Sequence, residues 1–195
     1  MDRTVDRRGA LLAGTASGAA LGLAAVAGVA RPSAQETAKV GAKIPAFQAT
    51  ATSLVDSNAV PVPTAYMLIG VKCGSTPAYE KRFKAIEDEF RAKGVDFFWV
   101  FPNKTESLDE KKAWMKKLGL KGGMIDDVDA KIAKALECKQ TAQVVLTDKA
   151  GNIVFRGGID DSRDEASVKA RYLADAIKAT LEGKPVAVPT AKAFG

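Results

Sequence analysis

Beyond residue 64 the apolar positions fall into two kinds of block, each closed by Gly, Pro or Asn. Residues 66–71 (Tyr-Met-Leu-Ile-Gly-Val) are apolar throughout, which suits a short strand buried on both faces. Thr76-Pro77 then reads as a helix start, with Thr as N-cap and Pro at the first helical position. Tyr79, Phe83, Ile86 and Phe90 follow at spacings of four, three and four, with Lys, Glu and Asp on the opposite side, and Gly94 ends the helix. Residues 95–101 form a second apolar run, closed by Pro102-Asn103; its Phe97, Phe98, Trp99 and Phe101 are read as core. Ser107-Leu108-Asp109-Glu110 is a capping-box pattern for a helix reaching Leu118, with Ala113, Trp114 and Leu118 turned inward.

Gly119, Gly122 and Gly123 break the chain before a short segment, Met124-Ile125, and residues 129–137 predict a short helix carrying Ile132, Ala135 and Leu136. Residues 143–147 and 152–155 are two strands joined by the turn Asp148-Lys149-Ala150-Gly151. Residues 166–181 predict a last amphipathic helix, with Leu173, Ile177 and Leu181 four apart, stopped by Gly183. This order places parallel strands in the first half and an antiparallel pair in the second. Helices must cover both sheet faces, because the first strands are apolar throughout. The expected architecture is α/β, a three-layer sandwich around a central mixed sheet, and it resembles the thioredoxin-like arrangement. Residues 65–183 make up its core. Residues 35–64 are an irregular or short-stranded N-terminal segment, and residues 184–195, with Pro185 and Pro189, an extended C-terminal tail.

Residues 1–34 have a different character. Arg3, Arg7 and Arg8 precede an uncharged Ala- and Gly-rich run over residues 9–30, then Arg31-Pro32-Ser33-Ala34. A basic start, apolar middle and small-residue end predict an export signal, and Arg7-Arg8 with a mild apolar stretch resembles the twin-arginine type. Cleavage after Ala30 or Ala34 would release a periplasmic or otherwise exported protein; left uncleaved, the segment would be the chain's membrane contact. Losing residues 1–34 takes 29 basic and 23 acidic residues to 25 and 21. So mild and dispersed an excess does not favour nucleic-acid binding.

The chain has no His, which excludes Ser-His-Asp triads, Cys-His dyads and His-bearing zinc or haem sites. Two Cys cannot complete a four-cysteine metal site, so no metal is expected. No glycine-rich phosphate loop follows a strand, and no bound cofactor is expected. Asp160-Asp161, near Arg156 and Arg163, is read as capping or solvated. What remains is sulfur. Cys73 falls in the loop after the first buried strand and before the first long helix, where backbone amides and the helix dipole favour thiolate over thiol. Lys72 adds a nearby cation and Gly74 an open neighbour. Cys138 ends the short helix before the second strand pair. Topology brings that segment towards the Cys73 loop, so Cys138 is either a disulfide or resolving partner or a core-filling thiol.

Further residues carry a resemblance to the exported redoxin branch of the thioredoxin superfamily (peroxiredoxin-like, alkyl-hydroperoxide-reductase/thiol-specific-antioxidant type), from about Val40 to the C-terminus. Val40-Gly41-Ala42-Lys43-Ile44-Pro45-Ala46-Phe47 is similar to that family's opening, and Cys73 with Tyr79 six residues on to its cysteine loop. Phe155-Arg156-Gly157-Gly158-Ile159-Asp160-Asp161 and Glu182-Gly183-Lys184-Pro185 complete the likeness. It implies thiol redox chemistry centred on Cys73, with Lys72, Gly74, Thr141 and Ala142 forming the substrate loop. Three positions depart from the family pattern. Cys73-Gly74-Ser75-Thr76 lacks the second Cys of a CxxC motif. Gly70 stands where peroxidase members carry a peroxide-orienting Thr or Ser, and Ala142 where a cis-proline is expected, so the Thr141–Ala142 bond is expected to be trans.

Two functions follow from this reading. One is a thiol oxidoreductase in which Cys73 attacks a disulfide or peroxide and Cys138 resolves the product, with a thiol or disulfide protein or a peroxide as substrate and an electron donor the sequence does not name. The other is a non-catalytic thioredoxin-fold module that binds a partner, its cysteines structural.

Overall fold

The computed structural model describes residues 38–50, 54–57 and 61–195; the predicted export signal, with Arg7 and Arg8, lies outside them. A small antiparallel pair, β1 (Gln48–Thr50) and β2 (Leu54–Asp56), precedes the main sheet. That sheet has five strands in the order β5-β4-β3-β6-β7. β3 (Thr64–Leu68) is parallel to β4 (Asp96–Phe101), which is parallel to β5 (Gly123–Asp126). β6 (Gln143–Thr147) runs antiparallel to both β3 and β7 (Ile153–Gly158). The expected mixed sheet, parallel first and antiparallel second, is present. The short segment Met124-Ile125 is the middle of the edge strand β5.

Strand alternation divides the core in two. Met67, Trp99, Phe101, Val144, Leu146 and Phe155 face one side, where α1 (Thr76–Arg91), α2 (Leu108–Leu118) and α4 (Tyr172–Leu181) pack. Tyr66, Leu68, Val100, Ile125, Val145 and Ile153 face the other, covered by the short α3 (Lys131–Ala135) and by Ala38 and Ile44. Phe83 and Trp114 meet Trp99 edge to face, with centroids 5.6 and 6.2 Å away. Residues 41–44 run against the β6–β7 turn, Gly41 N–H donating to the Ile153 carbonyl at 2.8 Å and Ile44 N–H to Gly151 at 2.9 Å.

Several expected boundaries move, each for a local reason. The strand predicted over residues 66–71 starts at Thr64 and ends at Leu68, because the chain turns away at Gly70, whose N–H goes to the Thr141 hydroxyl at 3.0 Å. The helix predicted over 166–181 begins only at Tyr172. Asp164 caps a single 3-10 turn, Glu165–Ser167, and Asp161 accepts from Lys169 N–H at 2.8 Å, which holds residues 168–170 out of a helix. The short helix loses both ends to left-handed residues, Ala130 (φ 52°) and Glu137 (φ 51°), while the Asp127 carboxylate caps it at Ile132 and Ala133. On α2, Ala113 is exposed and Lys111, Trp114 and Met115 form the buried face; the Lys111 ammonium reaches Asp126 at 2.6 Å. Leu181, at the end of α4, is exposed.

Candidate functional site

α1 starts one residue earlier than its sequence suggests, and the site depends on the difference. Ser75 is the N-cap, Thr76 and Pro77 the first helical residues, and Ser75 makes no capping bond with its side chain. Its hydroxyl instead lies 3.0 Å from the Cys73 sulfur. The buried Thr76 hydroxyl donates to the Gly70 carbonyl at 2.5 Å, and Cys73 N–H donates to the same carbonyl at 3.1 Å. The 70–76 turn therefore closes on itself and presents Cys73 half-buried at its rim.

From the opposite side comes the segment between α3 and β6. Ala142 N–H donates to the Leu68 carbonyl at 2.9 Å, with Ala142 in the left-handed region at φ 61°, and the Thr141–Ala142 peptide is trans. This fixes Thr141 so that its hydroxyl, accepting from Gly70, also reaches Cys73. A Cβ at Gly70 would lie 2.7 Å from Asn103 Nδ2, 3.1 Å from Thr141 Oγ1 and 3.3 Å from Cys73 Cβ. A side chain at this position, where peroxidase members carry a peroxide-orienting hydroxyl, would require the Asn103 amide, which donates to Glu106, to shift; with glycine there, the nearest hydroxyl is that of Thr141.

Burial of Cys73 works against its ionisation, but the Ser75 hydroxyl and amide, the Thr141 hydroxyl and the charge of Arg163 more than offset it and hold the thiol below its ordinary value. The cation acting here is Arg163 and not Lys72. Lys72 turns its ammonium to Glu110 (2.9 Å) and to the Thr105 carbonyl (3.2 Å). Arg163 donates to the Gly74 carbonyl at 2.7 Å. It is held there by Arg82, which donates to the carbonyls of Ser162 (2.8 Å) and Arg163 (2.7 Å) and pairs with the buried Asp160. Glu106, also buried, braces the loop from below, accepting from Lys72 N–H at 2.9 Å and from Asn103 Nδ2 at 3.0 Å.

Cys138 lines the same cavity as Cys73 and Thr141, a space of about 510 Å³, and both thiols are free. Their states differ. Burial pushes Cys138 up to about 12, and its Sγ–H is directed at the Leu136 carbonyl at 3.5 Å. Among the described residues no group of three or more Cys, Asp and Glu is placed to hold a metal ion.

The redoxin family model matches residues 39–172. The chain belongs to the redoxin family. Solved structures of similar fold include an uncharacterized conserved protein of Geobacillus kaustophilus, at 23% identity and TM-score 0.72, covering 80% of this redoxin and 89% of that chain. The thioredoxin domain of a thiol-disulfide oxidoreductase of Bacteroides vulgatus aligns at 14% identity and TM-score 0.52, over 60% and 87% of the two chains. A secreted Mycobacterium tuberculosis disulfide oxidoreductase, homologous to E. coli DsbE, aligns at 14% identity and TM-score 0.53, over 68% and 95%. No curated protein matches the redoxin. The fold is thioredoxin-like, as the order of elements implied.

Of the residues singled out from the sequence, Cys73, Thr141 and Cys138 line this cavity; Gly74 and Ala142 follow Cys73 and Thr141 in the chain without lining it, and Lys72 turns away to Glu110. Sequence reasoning misses the roles of Ser75, Arg163, Arg82 and Glu106. Arg163 stands out in the sequence only as a neighbour of Asp160-Asp161, and nothing in the spacing of Glu106 marks it.

Proposed function

We propose that this redoxin is an exported thiol-disulfide oxidoreductase that works through Cys73. The observation that carries the reading is the pair of hydroxyls, Ser75 and Thr141, aimed at a half-buried sulfur whose ionisation they favour. The Cys73 thiolate attacks one sulfur of a substrate disulfide, forming a Cys73 mixed disulfide and releasing the other sulfur as thiolate. A second thiol, from a protein or a small molecule, then attacks the mixed disulfide, leaves with the bound half as a new disulfide and restores Cys73. The electrons come from that thiol. Cys138 is poorly suited to fast resolution, since a thiol at about 12 is ionised in about one molecule in 10⁵ at pH 7. Peroxide reduction is the less favoured branch because Gly70 carries no hydroxyl where peroxidase members use one, and the nearby Thr141 hydroxyl is already engaged by Gly70 N–H and Cys73. Export is supported by the leader-like residues 1–34 and accords with the secreted mycobacterial relative.

The test is the pH dependence of iodoacetamide alkylation at Cys73, together with the rate of exchange with a small disulfide at pH 7. The reading expects a midpoint below that of a free thiol and faster exchange than free cysteine. A midpoint equal to that of free cysteine, with slow exchange, would establish instead the non-catalytic binding module, which the burial of Cys138 favours by leaving Cys73 without a ready partner.

A further inference from the structure

The tail after α4 does not trail into solvent. Arg156 N–H donates to the Pro189 carbonyl and Ala191 N–H to the Arg156 carbonyl, both at 2.9 Å, so the chain runs parallel to β7 through a bridge at Thr190. The approach is close because β7 ends in glycines. A Cβ on Gly157 would lie 2.7 Å from Ala191 N, and one on Gly158 2.7 Å from the Lys192 carbonyl oxygen. The next three residues leave the sheet and cross towards Cys73. The carbonyl of the buried Ala193 accepts from Gln140 Nε2 at 2.6 Å, and that of Phe194 from the Tyr79 hydroxyl at 3.1 Å. Gly195 packs on Thr141 so closely that any side chain there would overlap the Thr141 carbonyl, and it lines the cavity alongside Cys73 and Cys138.

Residues 193–195 thus occupy the backbone shelf at Gln140–Thr141 beside the sulfur, while Cys73 itself stays partly open to solvent. A small reagent can reach the sulfur past them. An extended polypeptide that must lie on the same shelf cannot do so until they move. We propose that residues 193–195 are a specificity-determining strap, which leaves Cys73 open to small disulfides and requires a polypeptide disulfide to displace it first. This rests on Cys73 being the attacking sulfur.

Two substrates with one leaving group test it: dithiobis(nitrobenzoate), and an unstructured cysteine peptide carried as its mixed disulfide with thionitrobenzoate. Release of coloured thionitrobenzoate reads both rates in the full chain and in a chain ending at Lys192, which keeps the pairing at Thr190. If the strap is seated in about nine molecules of ten, its removal raises the peptide rate about tenfold and leaves the small-disulfide rate within about twofold. Tyr79→Phe with Gln140→Ala, which cuts both anchoring bonds and keeps the tail, should move the peptide rate in the same direction and serves if the shortened chain does not fold. A peptide rate unchanged in both variants, or both rates rising together, overturns the strap. Failure of the underlying reading looks different: the small disulfide then reacts no faster than with free cysteine, strap or no strap.

Discussion

The Ser75 hydroxyl lies 3.0 Å from the Cys73 sulfur, at a helix N-cap that gives up its usual bond to the helix backbone to make that contact. Because the hydroxyl is not used for capping, its removal should separate chemistry from helix capping. S75A is expected to slow alkylation of Cys73 by iodoacetamide at pH 7 by about three- to tenfold and, Ser75 being buried, to lower the unfolding free energy by about 1 kcal/mol, with no loss of helix capping. Equal alkylation rates in the two proteins would remove Ser75 from the account.

Arg163 acts on Cys73 through charge and is itself exposed, so its effect should be screened by salt. Iodoacetamide is neutral, which leaves thiolate stabilisation as the salt-sensitive quantity. Between 0.05 and 0.5 M NaCl the native protein should be alkylated about twofold more slowly at pH 7, whereas R163Q should be slow throughout and nearly flat. A salt dependence that persists in R163Q would point to another cation.

Cys138 links stability to pH. Its folded value, raised by burial to about 12, stands above the ordinary 9.0. Between those values the unfolded chain has released the proton and the folded chain has kept it, so this contribution is intact below about pH 9 and is lost as the pH climbs towards 12. At pH 10.5 the loss amounts to about 2 kcal/mol. Urea unfolding at pH 7.5 and 10.5 should show that loss in the native protein and its absence in C138A, apart from a cavity cost of about 1 kcal/mol at both pH values. Parallel behaviour of the two proteins would contradict the buried neutral thiol.

Ala142 combines a positive φ of 61° with an N–H that donates to the Leu68 carbonyl. Proline supplies neither. A142P should therefore cost about 3 kcal/mol or more in urea unfolding and detach Thr141 from Gly70, whereas A142G, which keeps the N–H and accepts the angle, should stay within about 1 kcal/mol of the native protein. An A142P variant of native stability would mean that this loop has an alternative conformation.

Much of the scaffold is legible because its signals are local. The Tyr79–Phe83–Ile86–Phe90 stripe, the Ser107–Glu110 capping box and the Asp148–Gly151 turn each involve a few neighbouring residues, and each forms as read. Cys73 is legible for the same reason, standing between an apolar run and a helix start. What surrounds it is not. Arg163 reaches Gly74 across 89 positions, Arg82 reaches Asp160 across 78, and Gly70 meets Thr141 across 71. No periodicity encodes such pairings. The helix predicted from residue 166 fails for a related reason: its apolar spacing is sound, but Asp161 and Asp164 bind the backbone of the segment and favour a turn there.

β7 is the last strand of the sheet, and in a twisted sheet an outermost strand with free backbone groups invites pairing with another molecule. Here residues 189–191 already take the N–H and carbonyl of Arg156, and Gly157 and Gly158 offer no side-chain rows on which a foreign strand could register. At high protein concentration this side of the molecule is guarded against edge-to-edge association by residues 189–191.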